Sequence, residues 1–200
     1  MTCLGDQSRY LPSRQRELLR NLRGQVIVNM ERFAYFAPDC PENRDIWRTP
    51  PDQYFSCCGG PLLITVDSGL QVRVGSNPEL CSVQILVERT EDGAVAVCDP
   101  LCDDSGLYCF SALDPTYSSD LIRAFLGKRI EKFRLLRVVG PDASAEDRPC
   151  EAGLILVFPD GSELLLAHGL HDGSDDFSVI TPDMIDPKLK HKLKEIRLDL

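Results

Sequence analysis

The chain has no long apolar run, and no stretch approaches the roughly 20 apolar residues that a membrane span requires. Its first residues, Met1 to Gln7, show no basic segment followed by an apolar one, so no secretory signal is expected and the cytoplasm is the expected compartment. Basic residues are outnumbered, 22 Lys and Arg against 31 Asp and Glu, for a net charge of −9. Phosphate binding needs clustered cations, so nucleic acid is not an expected partner. Histidine is scarce as well, with three in the chain, and tryptophan occurs once, as Trp47. No glycine-rich phosphate cradle, no Gly-x-Ser-x-Gly elbow and no His-Glu-x-x-His helix is present, so none of these motifs points to an activity.

Cysteine, in contrast, is plentiful: nine, an odd number. Without an export signal the thiols are expected to be reduced. One metal candidate exists, Cys98, Cys102 and Cys109 with the adjacent pair Cys57 and Cys58 as a supplement, but only Cys98 and Cys102 have the close spacing of a structural zinc pair. Small buried hydrophobes are the expected role of most of these side chains.

What the chain does have is an internal repeat. Residues 17–27 align without a gap on residues 120–130, with Leu18, Arg20, Gly24 and Ile27 identical to Leu121, Arg123, Gly127 and Ile130. Residues 62–74 then align on residues 154–166, each an apolar alternation broken by Asp67-Ser68-Gly69 or Pro159-Asp160-Gly161. These are hairpins whose glycines supply the positive φ that a tight turn needs. The second offset is the shorter, so the first half carries a longer loop. Two copies of a unit too small to bury its own apolar face are expected to pack on each other about a pseudo-twofold axis.

Each copy starts as a helix. Ser13 is the expected cap of the first, and Asp114 with Pro115 of the second, and each helix ends on a glycine that leads into a strand, about 25–36 and 129–139. Further strands are expected at 82–88 and 177–181, with 94–97 and 107–111 bridging the halves, and the tail 187–194, which holds four of the six lysines, as a basic helix. The fold class is therefore α+β, mainly antiparallel sheet with two short helices, built from two tandem helix-strand-hairpin-strand units: residues 1–111 and residues 112–200.

Three segments are candidates for function. The loop 37–60 contains Trp47, Tyr54 and Phe55, which either fold back over the core or form a binding surface. Acidic runs hold Glu88, Glu91, Asp92, Asp99, Asp103 and Asp104 near the junction, and Asp172, Asp175, Asp176, Asp183 and Asp186 later; such runs are solvated loops or surfaces that steer a cationic protein. Residues 168–176, with His168 and His171 among carboxylates, could hold a divalent metal or move protons, and Cys57-Cys58-Gly59-Gly60 could offer a nucleophile; turn chemistry and packing are the bland alternatives.

The repeated pattern of a glycine-terminated helix, a strand and an Asp-Gly hairpin, spanning residues 14–185, resembles the immunity proteins that bacteria encode beside polymorphic or type VI secreted toxins. The resemblance implies a protein that is not an enzyme, needs no cofactor, and occludes a cognate toxin, a basic nuclease-like effector in the first instance. The residues expected at such an interface are Trp47, Tyr54, Asp103, Asp104, Asp172, Asp175 and Asp176. The alternatives are a metal-dependent hydrolase using residues 168–176 and a non-catalytic scaffolding domain.

Overall fold

The computed structural model describes residues 6–37, 50–104, 106–139, 148–173, 176–198 and 200. Helix α1 (Arg16–Leu22) buries Leu18, Leu19 and Leu22, and the chain turns out of it at Gly24, whose φ of +88° suits a residue without Cβ. Strand β1 (Ile27–Ala34) follows, then a long connection that includes one helical turn, α2 (Tyr54–Cys57). Strands β2 (Leu62–Val66), β3 (Gln71–Asn77) and β4 (Ser82–Arg89) form a meander, and β5 (Tyr108–Ser111) returns to the free side of β1. The sheet order is β4-β3-β2-β1-β5, antiparallel throughout.

The second half repeats this plan. Helix α3 (Asp120–Arg123) precedes β6 (Lys132–Val138), β7 (Gly153–Val157), β8 (Glu163–His168) and β9 (Phe177–Ile180). One helical turn, α4 (Pro187–Lys190), then leads to β10 (Leu193–Ile196), which returns to β6, giving the order β10-β6-β7-β8-β9. The registers match as well as the order. Met30 faces Ile64 and Arg32 faces Leu62; at the equivalent places Phe133 faces Leu156 and Leu135 faces Leu154. Leu62 faces Val74 as Leu154 faces Leu166, and the hairpin glycines Gly69 and Gly161 have φ of +89° and +80°.

The halves join by a symmetric hydrogen-bond set. Gly24 N donates to Ile130 O at 2.8 Å and Gly127 N to Ile27 O at 2.8 Å; Ile27 N donates to Lys128 O at 3.0 Å and Ile130 N to Gln25 O at 2.9 Å. The offset that carries Gly24 onto Gly127 exchanges the members of each pair, and it carries Val26 onto Arg129, its own bridge partner. A pseudo-twofold axis therefore passes between Val26 and Arg129, in the manner of an isologous dimer interface within one chain. Between the sheets lies the main core, where Ile64, Val72, Val74 and Ile85 meet Phe133, Leu154, Leu156 and Leu166. Each such side chain taken fully out of water stabilises the fold by about 1.5–3 kcal/mol.

A fifth strand that returns to the first must cross the outer face of its own sheet, and both crossings cover apolar residues. Residues 90–107 lay Leu101 and Leu107 over Phe33 and Leu63. Residues 181–192 lay Met184, Ile185 and Leu189 over Ile155, Val157, Leu165 and Ile180. Strands β7 and β9 are consequently buried on both faces, which is why β7 reads as a continuous apolar run and β9 as one interrupted by Ser178 alone.

Several expectations are corrected. Residues 94–97 make one bridge, Val95 to Arg89, and no strand; β5 does not bridge the halves but completes the first sheet; and the tail is one helical turn and then a strand, not a basic helix. Each unit thus has five strands. The cap of α3 is Ser119, while Asp114 closes the preceding turn. Ser13 caps nothing: its N–H and hydroxyl go to the buried carboxylate of Glu151, at 3.0 and 2.5 Å, tying the N-terminal segment to the second half.

Two glycines test the local physics separately. A Cβ at Gly24 would meet nothing within 4 Å, so Gly24→Ala carries only the positive-φ strain, about 1 kcal/mol. A Cβ at Gly60 would lie 1.6 Å from the Phe33 carbonyl oxygen, so Gly60→Ala must push the chain off β1 and is expected to cost about 3 kcal/mol or more. Urea denaturation of both variants checks the ranking.

Candidate functional site

Strand β1 alternates Met30, Arg32 and Ala34 toward the core, and the middle one is an arginine with no exposed surface. The repeat places Leu135 at the equivalent position, also fully buried. The Arg32 guanidinium donates through Nη2 to Phe177 O at 3.0 Å and lies 4.8 Å over the Phe177 ring. Among the described residues its Nε and Nη1 have no acceptor. Among the described residues one carbonyl and one aromatic face solvate this deep cation, a costly arrangement compared with the leucine of the other copy.

Around Arg32 the fold gathers the two segments that carried chemical expectations. Gly59 bridges to Phe177, the first residue of β9, and the space beside Gly59 is occupied by the Asp176 carboxylate, 3.4 Å from where a Cβ would stand. Residues 57–60 and the loop after β8 are therefore neighbours. Cys57 feels both sides of this junction: burial pushes its thiol up to about 11, with Arg32 lowering it and Cys58 and Asp172 raising it. A thiol of that pKa is protonated near neutral pH and makes a poor nucleophile.

His168 ends β8 on the inward face, 6% exposed, and its Nδ1 meets Ser76 Oγ at 2.6 Å. Under the hairpin alignment Ser76 is the counterpart of His168, so this contact also lies on the pseudo-twofold relation and joins β3 to β8. Asp172 is exposed and Asp176 half-buried, while Asp175 lies outside the described residues. Among the described residues no three metal-ligating side chains converge.

The acidic run near the junction has a different construction. Glu88, grouped with it in the sequence, is fully buried: it accepts from Arg73 Nε at 2.7 Å and from Leu101 N at 2.6 Å, while Arg73 Nη2 donates to Asp99 O at 2.6 Å. This buried ion pair pins the crossing segment to the sheet, and Asp103 and Asp104 stand exposed on the pinned part. Three exposed aromatic residues lie where this segment enters β5 and where β1 ends. Tyr108 follows the turn in which Leu107 N donates to Asp104 O, and it faces Ala34 across the sheet; Tyr35 and Phe36 continue β1. Their exposures of 50%, 64% and 57% make this edge the main aromatic surface among the described residues.

Tyr54 is corrected from interface to core. It is buried, its ring packs on Phe110 and Tyr117 at centroid distances of 5.3 and 6.3 Å, and its hydroxyl donates to Phe36 O at 3.1 Å. It stands behind the exposed edge. Trp47 lies outside the described residues. Sequence reasoning missed Arg32, and the signal was available: a charged residue at a core-facing position of an apolar alternation, where the other copy has leucine.

Cys102 and Cys109 sit close to Glu31 on the same outer face. Burial first, then Glu31 and Cys102, push the Cys109 thiol up to about 11. Among the described residues no helix is long and apolar enough to cross a membrane. No family model matches the sequence, no curated protein matches it, and no solved structure matches the fold.

Two measurements follow. Arg32→Leu, which copies the second half, is expected to leave stability unchanged or raise it by up to about 4 kcal/mol, whereas Arg32→Ala is expected to destabilise by about 2 kcal/mol or more through the cavity it leaves. Denaturant midpoints of the two variants decide this. For Cys57, folding raises the pKa from 9.0 to about 11, so the folded state holds the proton more tightly; its contribution to stability is complete below pH 9.0 and is lost as pH rises through about 11. Alkylation of Cys57 at pH 8, followed by peptide mass mapping, should be about a hundredfold slower in the folded than in the unfolded protein.

Proposed function

We propose that the chain is a non-catalytic binding protein for a cationic protein partner and, within that class, an immunity protein that occludes a secreted antibacterial toxin. The observation that carries the reading is the set of exposed aromatic residues at the end of β1 and the start of β5, Tyr35, Phe36 and Tyr108, with the exposed carboxylates of Asp103 and Asp104 on the pinned segment that leads into β5. Aromatic anchors with a charged rim are the composition of a protein interface: the rings supply slow dissociation, and the rim supplies fast encounter with a partner of opposite charge. The net charge of −9 extends the same field beyond the edge, and a nuclease-like toxin, basic because it binds phosphate, has the complementary sign. Buried Glu88 and Tyr54 support the surface from behind, so the rim and the rings are held in place before binding.

A hydrolytic reading has one observation in its favour, the Ser76 hydroxyl against the His168 imidazole near a buried guanidinium, because a hydroxyl beside an imidazole can serve as nucleophile and base. The ring is buried between the sheets, however, and the pair also has a plain structural use in joining β3 to β8.

Co-expression with the product of the adjoining gene, copurification and binding kinetics test the proposal. Asp103→Lys with Asp104→Lys should slow association and flatten its dependence on salt. Tyr108→Ala should speed dissociation by about 30-fold, a loss on the order of 2 kcal/mol. Ser76→Ala should leave protection of a toxin-producing cell intact. Absence of any complex together with unprotected growth sinks the immunity reading, and loss of protection in folded, toxin-binding Ser76→Ala favours the hydrolase.

A further inference from the structure

Among the described residues, two that are not glycine have a left-handed backbone, Cys81 with φ of +48° and Cys150 with φ of +49°. They belong to different halves, and the segments that carry them run side by side. Cys150 N donates to Leu80 O at 3.3 Å, Glu151 N to Ser82 Oγ at 2.9 Å and Val83 N to Glu151 O at 2.9 Å, so the turn before β4 and the segment before β7 are laced together. Within this lacing Cys150 stands beside the turn that carries Cys81, and burial first, then the neighbouring Cys81, push the Cys150 thiol up. The two thiols differ in setting. Cys150 is buried, whereas Cys81 is partly exposed and receives an N–H from Arg148 Nη1 at 3.3 Å.

We infer that Cys81 and Cys150 are a peroxide-responsive thiol pair, with Cys81 as the attacking sulfur and Cys150 as the resolving one, whose disulfide staples the two halves together. The sulfur that peroxide can reach is the partly exposed one that accepts the Arg148 N–H, and the buried thiol stands beside it. The steps balance. The Cys81 thiolate attacks one oxygen of hydrogen peroxide; the O–O bond breaks, hydroxide leaves and is protonated to water, and Cys81 becomes a sulfenic acid. Cys150 then gives up its proton and attacks the Cys81 sulfur; the S–O bond breaks, the second water leaves, and the S–S bond forms. The two thiols supply the two electrons that reduce the peroxide. The bond closes a long stretch of chain across the pseudo-twofold junction, which restricts the unfolded state and stabilises the folded one.

The other cysteines supply internal controls. Cys102 and Cys109 are near each other but face Glu31, a carboxylate that opposes thiolate formation, and Cys57 and Cys58 are adjacent in sequence with Cys57 largely buried among core groups. Arg89 also acts on Cys102, but Glu31 opposes it more strongly there, whereas Cys81 accepts a direct N–H from Arg148.

Titration of the reduced full-length protein with hydrogen peroxide, read by intact mass and non-reducing peptide mapping, tests the inference. The expected result is a loss of two hydrogens, a Cys81–Cys150 linked peptide as the first product, and a melting temperature raised on the order of 5–10 °C and restored by reductant. Cys150→Ser should leave a sulfenic acid on Cys81 that dimedone traps, and Arg148→Ala should slow the reaction about tenfold. The wild-type map alone is decisive if a variant fails to fold. Earlier oxidation of Cys102 with Cys109 or of Cys57 with Cys58, or a Cys81 that remains open to alkylation at equimolar peroxide, overturns the pair; an unchanged rate in Arg148→Ala overturns Cys81 as the attacking sulfur.

Discussion

Everything in this fold depends on the mutual pairing of residues 24–27 with residues 127–130. Each five-stranded sheet has one inner apolar face, and the start of its first strand has backbone groups that its own sheet does not pair. The other copy supplies both missing partners at once. Four backbone hydrogen bonds related by exchange of the halves fix the relative position of the sheets, and the apolar faces then close on each other to form the main core. Burial drives the association and the backbone bonds set its geometry, because burial is non-directional whereas hydrogen bonds are not.

Symmetry makes the departures informative. Where both copies keep an apolar residue the role is packing, as at Leu62 and Leu154. Where they diverge, the surroundings of one copy explain it. Arg32 replaces the leucine of the other half and lies among Phe177, Cys57 and the neighbouring loop. Ser76 and His168 are unlike residues that meet each other across the pseudo-axis. The two crossing segments cover their sheets with apolar residues in both halves, but the first displays Asp103 and Asp104 while the second leads through Lys188 and Lys190. A duplicated scaffold can specialise one copy while the other continues to hold the fold.

Buried ions then set where the irregular segments lie. Glu88 with Arg73 fixes the acidic crossing, and Glu151 takes both donors of Ser13 to fix the N-terminal segment. Removing one partner of such a contact leaves an uncompensated charge or donor out of water, at a cost of about 3–5 kcal/mol for an ion pair, so loops held this way behave as part of the rigid structure.

Local chemistry made much of this legible in the sequence. Positive-φ glycines at Gly69 and Gly161, alternating apolar residues beside them, and the matched helix ends at Gly24 and Gly127 depend on neighbours a few residues away, and these determined the hairpins, the repeat and the α+β class. The fifth strands were legible only in part: residues 107–111 were expected as a strand but not its place beside β1, and β10 was read as helix, because both are short edge strands that acquire their pairing from β1 and β6 far away in the chain. The same distance hid the site. Tyr54 and Glu88 look like surface residues in a polar segment and become core residues once a sheet lies under them, and residues 57–60 meet residues 168–176 only because Gly59 pairs with Phe177. Arg32 lay between these outcomes: the alternation of β1 already directed it inward, but only the packing of the second sheet removed the water from its guanidinium, since burial depends on what covers a side chain and local sequence determines only which way it points.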